Sequence, residues 1–113
     1  MNKLSDCEFR VMDIIWEHAE QETGAPDLAV TRAEYNGKYR KGKTELAPQT
    51  ISTYLARMVQ KGMIESCKRG RYSYYTPKIS RKPYREEMFR EELSIYFGAD
   101  AEKVNKAIEK LKM

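Results

Sequence analysis

The chain is 113 residues long, with 21 Lys and Arg against 17 Asp and Glu, a single His and a net charge of +4. That length makes one domain, or a small domain with an appendage, and is enough to bury a core without disulfide or metal staples. No apolar run is long enough to span a bilayer and the N-terminus has no signal-peptide pattern, so the expectation is a soluble, cytoplasmic chain without membrane insertion.

The charge is unevenly distributed. Residues 1–37 hold three cations against eight acids, residues 38–78 hold ten against Glu45 and Glu65, and residues 79–113 hold eight against seven. A basic middle between acidic and neutral ends is the footprint of a nucleic-acid surface. Catalysis has little to use. His18 stands alone, no metal-ligand cluster or Gly-rich phosphate loop occurs, and no Ser or Cys has a His to activate it. No enzyme, cofactor or metal is expected. Cys7 and Cys67 lack metal spacing and are read as reduced, Cys7 as a small core residue.

Ser5-Asp6-Cys7-Glu8 is a capping box, so a first helix starts there and runs to about Glu20. Cys7, Val11, Ile14 and Ile15 share a face, with Met12, Trp16 and Ala19 beside them, and Phe9 and Trp16 as the large anchors. His18 reads as a surface residue. Gln21 to Leu28 is a loop. Leu28-Ala29-Val30 is predicted as a short strand pairing with a later hairpin, and Thr31-Arg32-Ala33-Glu34 as a capping box opening the second helix. Ala33, Tyr35 and Tyr39 are its candidate buried positions. Gly37 weakens it by about 1 kcal/mol relative to Ala. It ends near Tyr39 to Lys41, where Arg40, Lys41 and Lys43 are candidates for phosphate contact.

Ala47 to Gly62 reads as a helix with both ends marked. Pro48 suits the first helical position and Gly62 the left-handed stop. Ile51, Leu55, Met58 and Val59 make an apolar face, while Gln49, Thr50, Ser52, Thr53, Arg57 and Lys61 lie opposite. No acid occurs between Pro48 and Gly62, although a solvated helix face usually mixes both signs. Met63 to Lys68 and Tyr72 to Thr76 are strands joined by the basic turn Arg69-Gly70-Arg71. Helix, strand, basic turn, strand is the ending of a winged helix-turn-helix. Its helix would enter a DNA major groove, with the hairpin tip on the backbone or minor groove. The fold class expected is mainly α with a small β-wing, and the alternating tyrosines of the second strand read chiefly as packing.

Ser80 can cap a further helix, with Pro83 in its first turn, ending at Gly98. Asp100 caps a last one. Met88, Leu93, Tyr96 and Phe97, then Val104, Ile108 and Leu111 with Ala101 and Ala107, form apolar stripes that a core complete by about Pro77 leaves uncovered. A winged-helix domain over 1–79 and a dimerisation arm over 80–113 follow, giving a two-fold dimer. The alternative is that these helices fold back on their own domain.

The motifs together resemble the penicillinase-repressor (BlaI/MecI/CopY) family. Leu4 through Trp16 is similar to its first helix, Val30-Thr31-Arg32-Ala33-Glu34 to its second-helix start, and Pro48-Gln49-Thr50-Ile51 through Arg57 to Lys61-Gly62 to its recognition helix. Gly70 through Tyr75 and Pro77-Lys78-Ile79-Ser80 resemble its wing and exit. The resemblance implies a homodimeric transcriptional repressor on a palindromic operator, a double-stranded DNA partner, and induction through a membrane sensor protease or its downstream protease. It does not extend to copper sensing, since no Cys-x-Cys follows residue 80. The chain departs from the family's Asn-Phe cleavage site, whose nearest counterpart by position, Glu92-Leu93, is chemically different, and the family Trp before the recognition helix is absent, with Leu46 near its place.

Gln49, Thr50, Ser52 and Thr53 are thus the candidate base-reading residues. Lys43, Arg57, Lys61, Lys68, Arg69, Arg71 and Tyr72 are the candidate phosphate contacts. A winged-helix protein-interaction module without specific DNA binding is the other class, because the fold alone does not fix function.

Overall fold

The computed structural model describes residues 4–97, 105–106 and 109–110. Six elements follow in chain order: α1 (Asp6–Glu20), α2 (Leu28–Tyr39), α3 (Pro48–Gln60), β1 (Ile64–Arg69), β2 (Tyr72–Pro77) and α4 (Arg81–Phe97). They divide into two compact units, one ending at Ile79 and one beginning at Ser80.

In the first unit α1 begins at the expected box. The Ser5 N–H donates to Glu8 Oε1 at 2.8 Å, and the Glu8 N–H donates to Ser5 Oγ at 3.2 Å. Two of the orphan donors at the helix start are thereby satisfied. The core is built from Val11, Met12, Ile14, Ile15 and Trp16 of α1, Tyr35 of α2, and Ile51, Leu55 and Met58 of α3, closed by Met63 and Ile64 where the hairpin starts. Trp16 also donates its Nε1–H to the Ile79 carbonyl at 2.8 Å, which fixes the exit of the wing against α1. Some apolar side chains stay largely outside this core: Phe9 and Val59, for example, are each 39% exposed. Cys7 is half-buried rather than a full core residue.

The start of α2 differs from the sequence expectation. Leu28-Ala29-Val30 is the first turn of the helix and not a strand, and Asp27 is the N-cap, accepting from the Val30 N–H at 2.9 Å. Thr31 is a buried helix-interior residue. Its hydroxyl donates to the Asp27 carbonyl at 2.7 Å, so it cannot also serve as a cap. The backbone that meets the wing instead is Pro26, whose carbonyl accepts from the Tyr75 N–H at 3.0 Å. Ala33 is exposed, Tyr35 buried and Tyr39 half-buried.

Helix α3 ends as its sequence indicates. Gly62 adopts φ +75°. The Met63 N–H then bonds back to the Met58 carbonyl and the Gly62 N–H to that of Val59, both at 3.0 Å. This is a Schellman closure, which satisfies two of the last carbonyls of the helix. It also reverses the chain into β1, which pairs antiparallel with β2 from Ile64↔Pro77 to Arg69↔Tyr72. The two turn residues are Gly70 and Arg71, and Gly70 supplies the positive φ (+64°) that a tight primed hairpin turn requires. Three helices and a two-stranded antiparallel wing make the first unit a winged helix.

In the second unit the Tyr84 N–H donates to the Ser80 carbonyl at 3.3 Å, which opens α4 at the residue expected to cap it. Met88 and Leu93 on α4 are half-buried. Tyr96 and Phe97 fall in its last turn. Gly98, Asp100 and the stripe residues Ala101, Val104, Ala107, Ile108 and Leu111 lie outside the described residues.

Candidate nucleic-acid interface

Helix α3 buries Ile51, Leu55 and Met58 and turns its other face outward. Gln49, Ser52, Thr53 and Arg57 are exposed there, and Thr50 is half-buried. The Thr53 hydroxyl donates to the Gln49 carbonyl at 2.9 Å, leaving its lone pairs outward. The N-terminus of α3 is unusual in this unit. Ser5 and Asp27 cap α1 and α2, whereas Ala47 gives α3 no side-chain cap. Uncapped first-turn N–H groups with the helix dipole behind them favour an anion such as a phosphate.

The loop before α3 is held by two residues that sequence reasoning did not single out. Buried Asn36 accepts the Leu46 N–H at 2.9 Å and offers its Nδ2–H to the Leu46 carbonyl at 3.4 Å. Arg32 donates Nε–H to the same carbonyl at 2.8 Å and lies 3.5 Å from Glu45. Together they fix the entry into α3 from the side of α2. An Asn and an Arg inside a helix carry no local signal of such a role, because the partner arrives only in the fold. Lys43 stays exposed on that loop.

The hairpin tip presents Lys68, Arg69 and Arg71, all exposed, with Tyr72 57% exposed beside them. The Arg69 guanidinium sits 5.9 Å from the Tyr74 ring centroid, which steadies it over the strand. Not every cation of the basic middle belongs to this surface. Lys38 lies 2.8 Å from Glu17 and 3.4 Å from Asp13, tying α2 to α1.

Lys61, also expected among the phosphate contacts, is half-buried and carries an ion pair within the domain. Its ammonium lies 2.6 Å from Glu8 Oε1 at the start of α1. Burial alone would push the Glu8 carboxyl up. The Lys61 hydrogen bond and then the Ser5 contacts outweigh it and hold that carboxyl below the ordinary glutamate value of 4.5. A carboxyl depressed on folding stabilises the native state above its unfolded value, and that contribution is lost as pH falls through the folded one. Urea midpoints should therefore drop faster in the wild type than in Glu8→Gln once the pH passes below 4.5. Parallel pH profiles for the two proteins would show that the pair carries no such linkage.

His18 is half-buried near the surface and acts as a strut. Nε2 lies 2.9 Å from both Glu34 oxygens and Nδ1 2.8 Å from Thr23 Oγ1, joining α1, the following loop and α2. Among the described residues no group of three His, Cys, Asp or Glu could hold a metal, and no helix is long and apolar enough to cross a membrane.

Comparison with known proteins bears on this surface directly. The penicillinase repressor family model matches residues 4–113. The penicillinase repressor of Bacillus licheniformis is 34% identical over 84 residues, which is 74% of this chain and 58% of that protein. The chain thus spans a little over half the length of the curated relative it matches. Among solved structures, the DNA-binding domain of the repressor BlaI is similar with a TM-score of 0.57 and 31% identity, over 74% of this chain and 94% of that one. The monomeric form of Bacillus licheniformis BlaI in complex with the blaP half-operator is similar with a TM-score of 0.55 and 30% identity, over 74% of this chain and 89% of that one.

Proposed function

The chain belongs to the penicillinase repressor family, and from that premise we propose that it is a cytoplasmic transcriptional repressor binding a palindromic DNA operator as a homodimer. The observation that carries the reading is the outward face of α3. It is exposed, lacks acids, and is followed by a hairpin whose tip is Lys68, Arg69 and Arg71. In this reading α3 lies in the major groove, where Gln49, Thr50, Ser52 and Thr53 meet base edges. Lys43, Arg57, Lys68, Arg69, Arg71 and Tyr72 hold phosphates and set the register.

Residues 1–79 form the DNA-binding domain and 80–113 the dimerisation arm, with Met88, Leu93, Tyr96, Phe97, Val104, Ile108 and Leu111 facing the partner chain. Two copies related by a two-fold axis then place their α3 helices on half-sites one helical turn apart. A sensor protease, or a protease downstream of it, would end repression by acting on this C-terminal arm.

A mobility-shift titration with DNA flanking the protein's own gene tests this reading. Operator binding should fall steeply with salt, saturate at two chains per site, and prefer the operator over scrambled duplex. Gln49→Ala should relax the preference by about 1–3 kcal/mol at one base pair, while Arg69→Ala weakens all sequences alike. An absence of DNA binding at low salt would favour a protein-interaction module instead.

A further inference from the structure

Lys61 immediately precedes the glycine that stops α3. Its ammonium reaches back to Glu8, 53 residues earlier, at 2.6 Å. Glu8 is 2% exposed and the Lys61 side chain 31%. The carboxylate oxygen that meets Lys61 also accepts the Ser5 N–H, while Oε2 is buried with no hydrogen-bond partner among the described residues. Losing the cation would leave a charge that water cannot reach, so the pair is costly to open. Both helix dipoles favour it. The anion lies in the first turn of α1 and the cation at the C-terminal end of α3. Lys43, Arg57, Lys68, Arg69 and Arg71, by contrast, are exposed.

We propose that Glu8 is a positioning residue that withholds Lys61 from DNA: it pins the far end of the reading helix to α1 and keeps one cation of that helix out of the phosphate contacts. This rests on the DNA-binding reading above and refines it. A cation free to reach phosphate strengthens operator and random DNA equally. Holding it inside restrains sequence-independent binding and keeps α3 at one angle to the body of the domain. Glu8 therefore acts on specificity without touching DNA.

The test is a salt titration of binding to the operator duplex and to a scrambled duplex of equal length. The proteins are wild type, Arg69→Gln, Lys61→Gln, Glu8→Gln and the double variant Glu8→Gln/Lys61→Gln. Arg69→Gln is the benchmark and lowers the slope of log affinity against log salt by about 0.9. Lys61→Gln should leave that slope at the wild-type value. Glu8→Gln keeps an acceptor for Ser5 but removes the negative charge that holds the ammonium. It should raise the slope by about 0.9 on both duplexes and lower the operator-to-scrambled affinity ratio several-fold.

A slope lowered by about 0.9 in Lys61→Gln would overturn the inference. So would a Glu8→Gln protein, folded by far-UV circular dichroism, with wild-type slope and ratio. If Lys61→Gln unfolds around its stranded carboxylate, the double variant decides. A wild-type slope upholds the inference and a slope lowered by about 0.9 overturns it. Wild-type protein that binds neither duplex would overturn the DNA-binding reading itself, which is a distinguishable result.

Discussion

Trp16→Ala is expected to leave the winged-helix unit largely unfolded at 25 °C. The indole is 1% exposed at the centre of the α1 stripe. The Phe9 ring stands edge-on to it at 5.9 Å and 74°. Truncating a buried Trp to Ala costs about 3–5 kcal/mol from lost burial and the cavity left behind. The Ile79 carbonyl would also lose its 2.8 Å donor, adding about 1 kcal/mol because Ile79 is only half-buried. Whole domains are stable by about 5–15 kcal/mol, and small ones sit at the low end. Trp16→Phe separates the two contributions. It keeps an aromatic ring but no donor, and should cost about 1–3 kcal/mol while the protein stays folded. Urea unfolding followed by far-UV circular dichroism measures both, since Trp16 is the only tryptophan. A midpoint in Trp16→Ala within a few tenths molar of wild type would mean that the core does not depend on this ring.

The elements that could be read from sequence are those whose ends are marked by local chemistry. Ser5 and Glu8 satisfy each other's backbone across one turn, so α1 needs nothing distant to declare its start. Pro48 and Gly62 do the same for α3, through a missing N–H and a positive φ. The start of α2 differs from the expectation because two caps compete. Thr31-x-x-Glu34 matches the capping pattern, but Asp27 lies one turn earlier and wins. Burying Thr31 then lets Tyr35 enter the core. That outcome is decided by packing, and the β-branched Val30 is carried into helix by it.

Periodicity located the apolar stripes but not their edges, which is why Phe9 and Val59 count as apolar positions and are yet 39% exposed. The least legible features join distant residues. Glu8 has a complete local explanation as a cap, which hides its pairing with Lys61. Asn36 and Leu46 meet only because the loop before α3 folds back over α2. The exposure of Gln49, Ser52, Thr53 and Arg57 on α3 and of Lys68, Arg69 and Arg71 at the hairpin tip follows from spacing alone, whereas the half-burial of Thr50 and the pairing of Lys61 do not.

Replacing Lys68, Arg69 and Arg71 together by Gln should separate affinity from specificity. Each exposed cation released from a phosphate lowers the salt slope by about 0.9, so the triple variant should lose about 2.7 in slope. At physiological salt that corresponds to roughly a hundredfold weaker binding. The loss should be equal on operator and scrambled duplexes, because phosphate contacts carry no base information. The fold should survive. All three side chains are exposed, the hairpin is held by its backbone register from Ile64 to Pro77, and Gly70 keeps the turn. Surface changes of this kind usually stay within about 0.5 kcal/mol. Gln49→Ala should behave in the opposite way, with nearly unchanged slope and a reduced operator preference. If the triple variant instead kept its slope and lost its preference for the operator, the hairpin would be the reading element. The outward face of α3 would then have to be explained by something other than DNA.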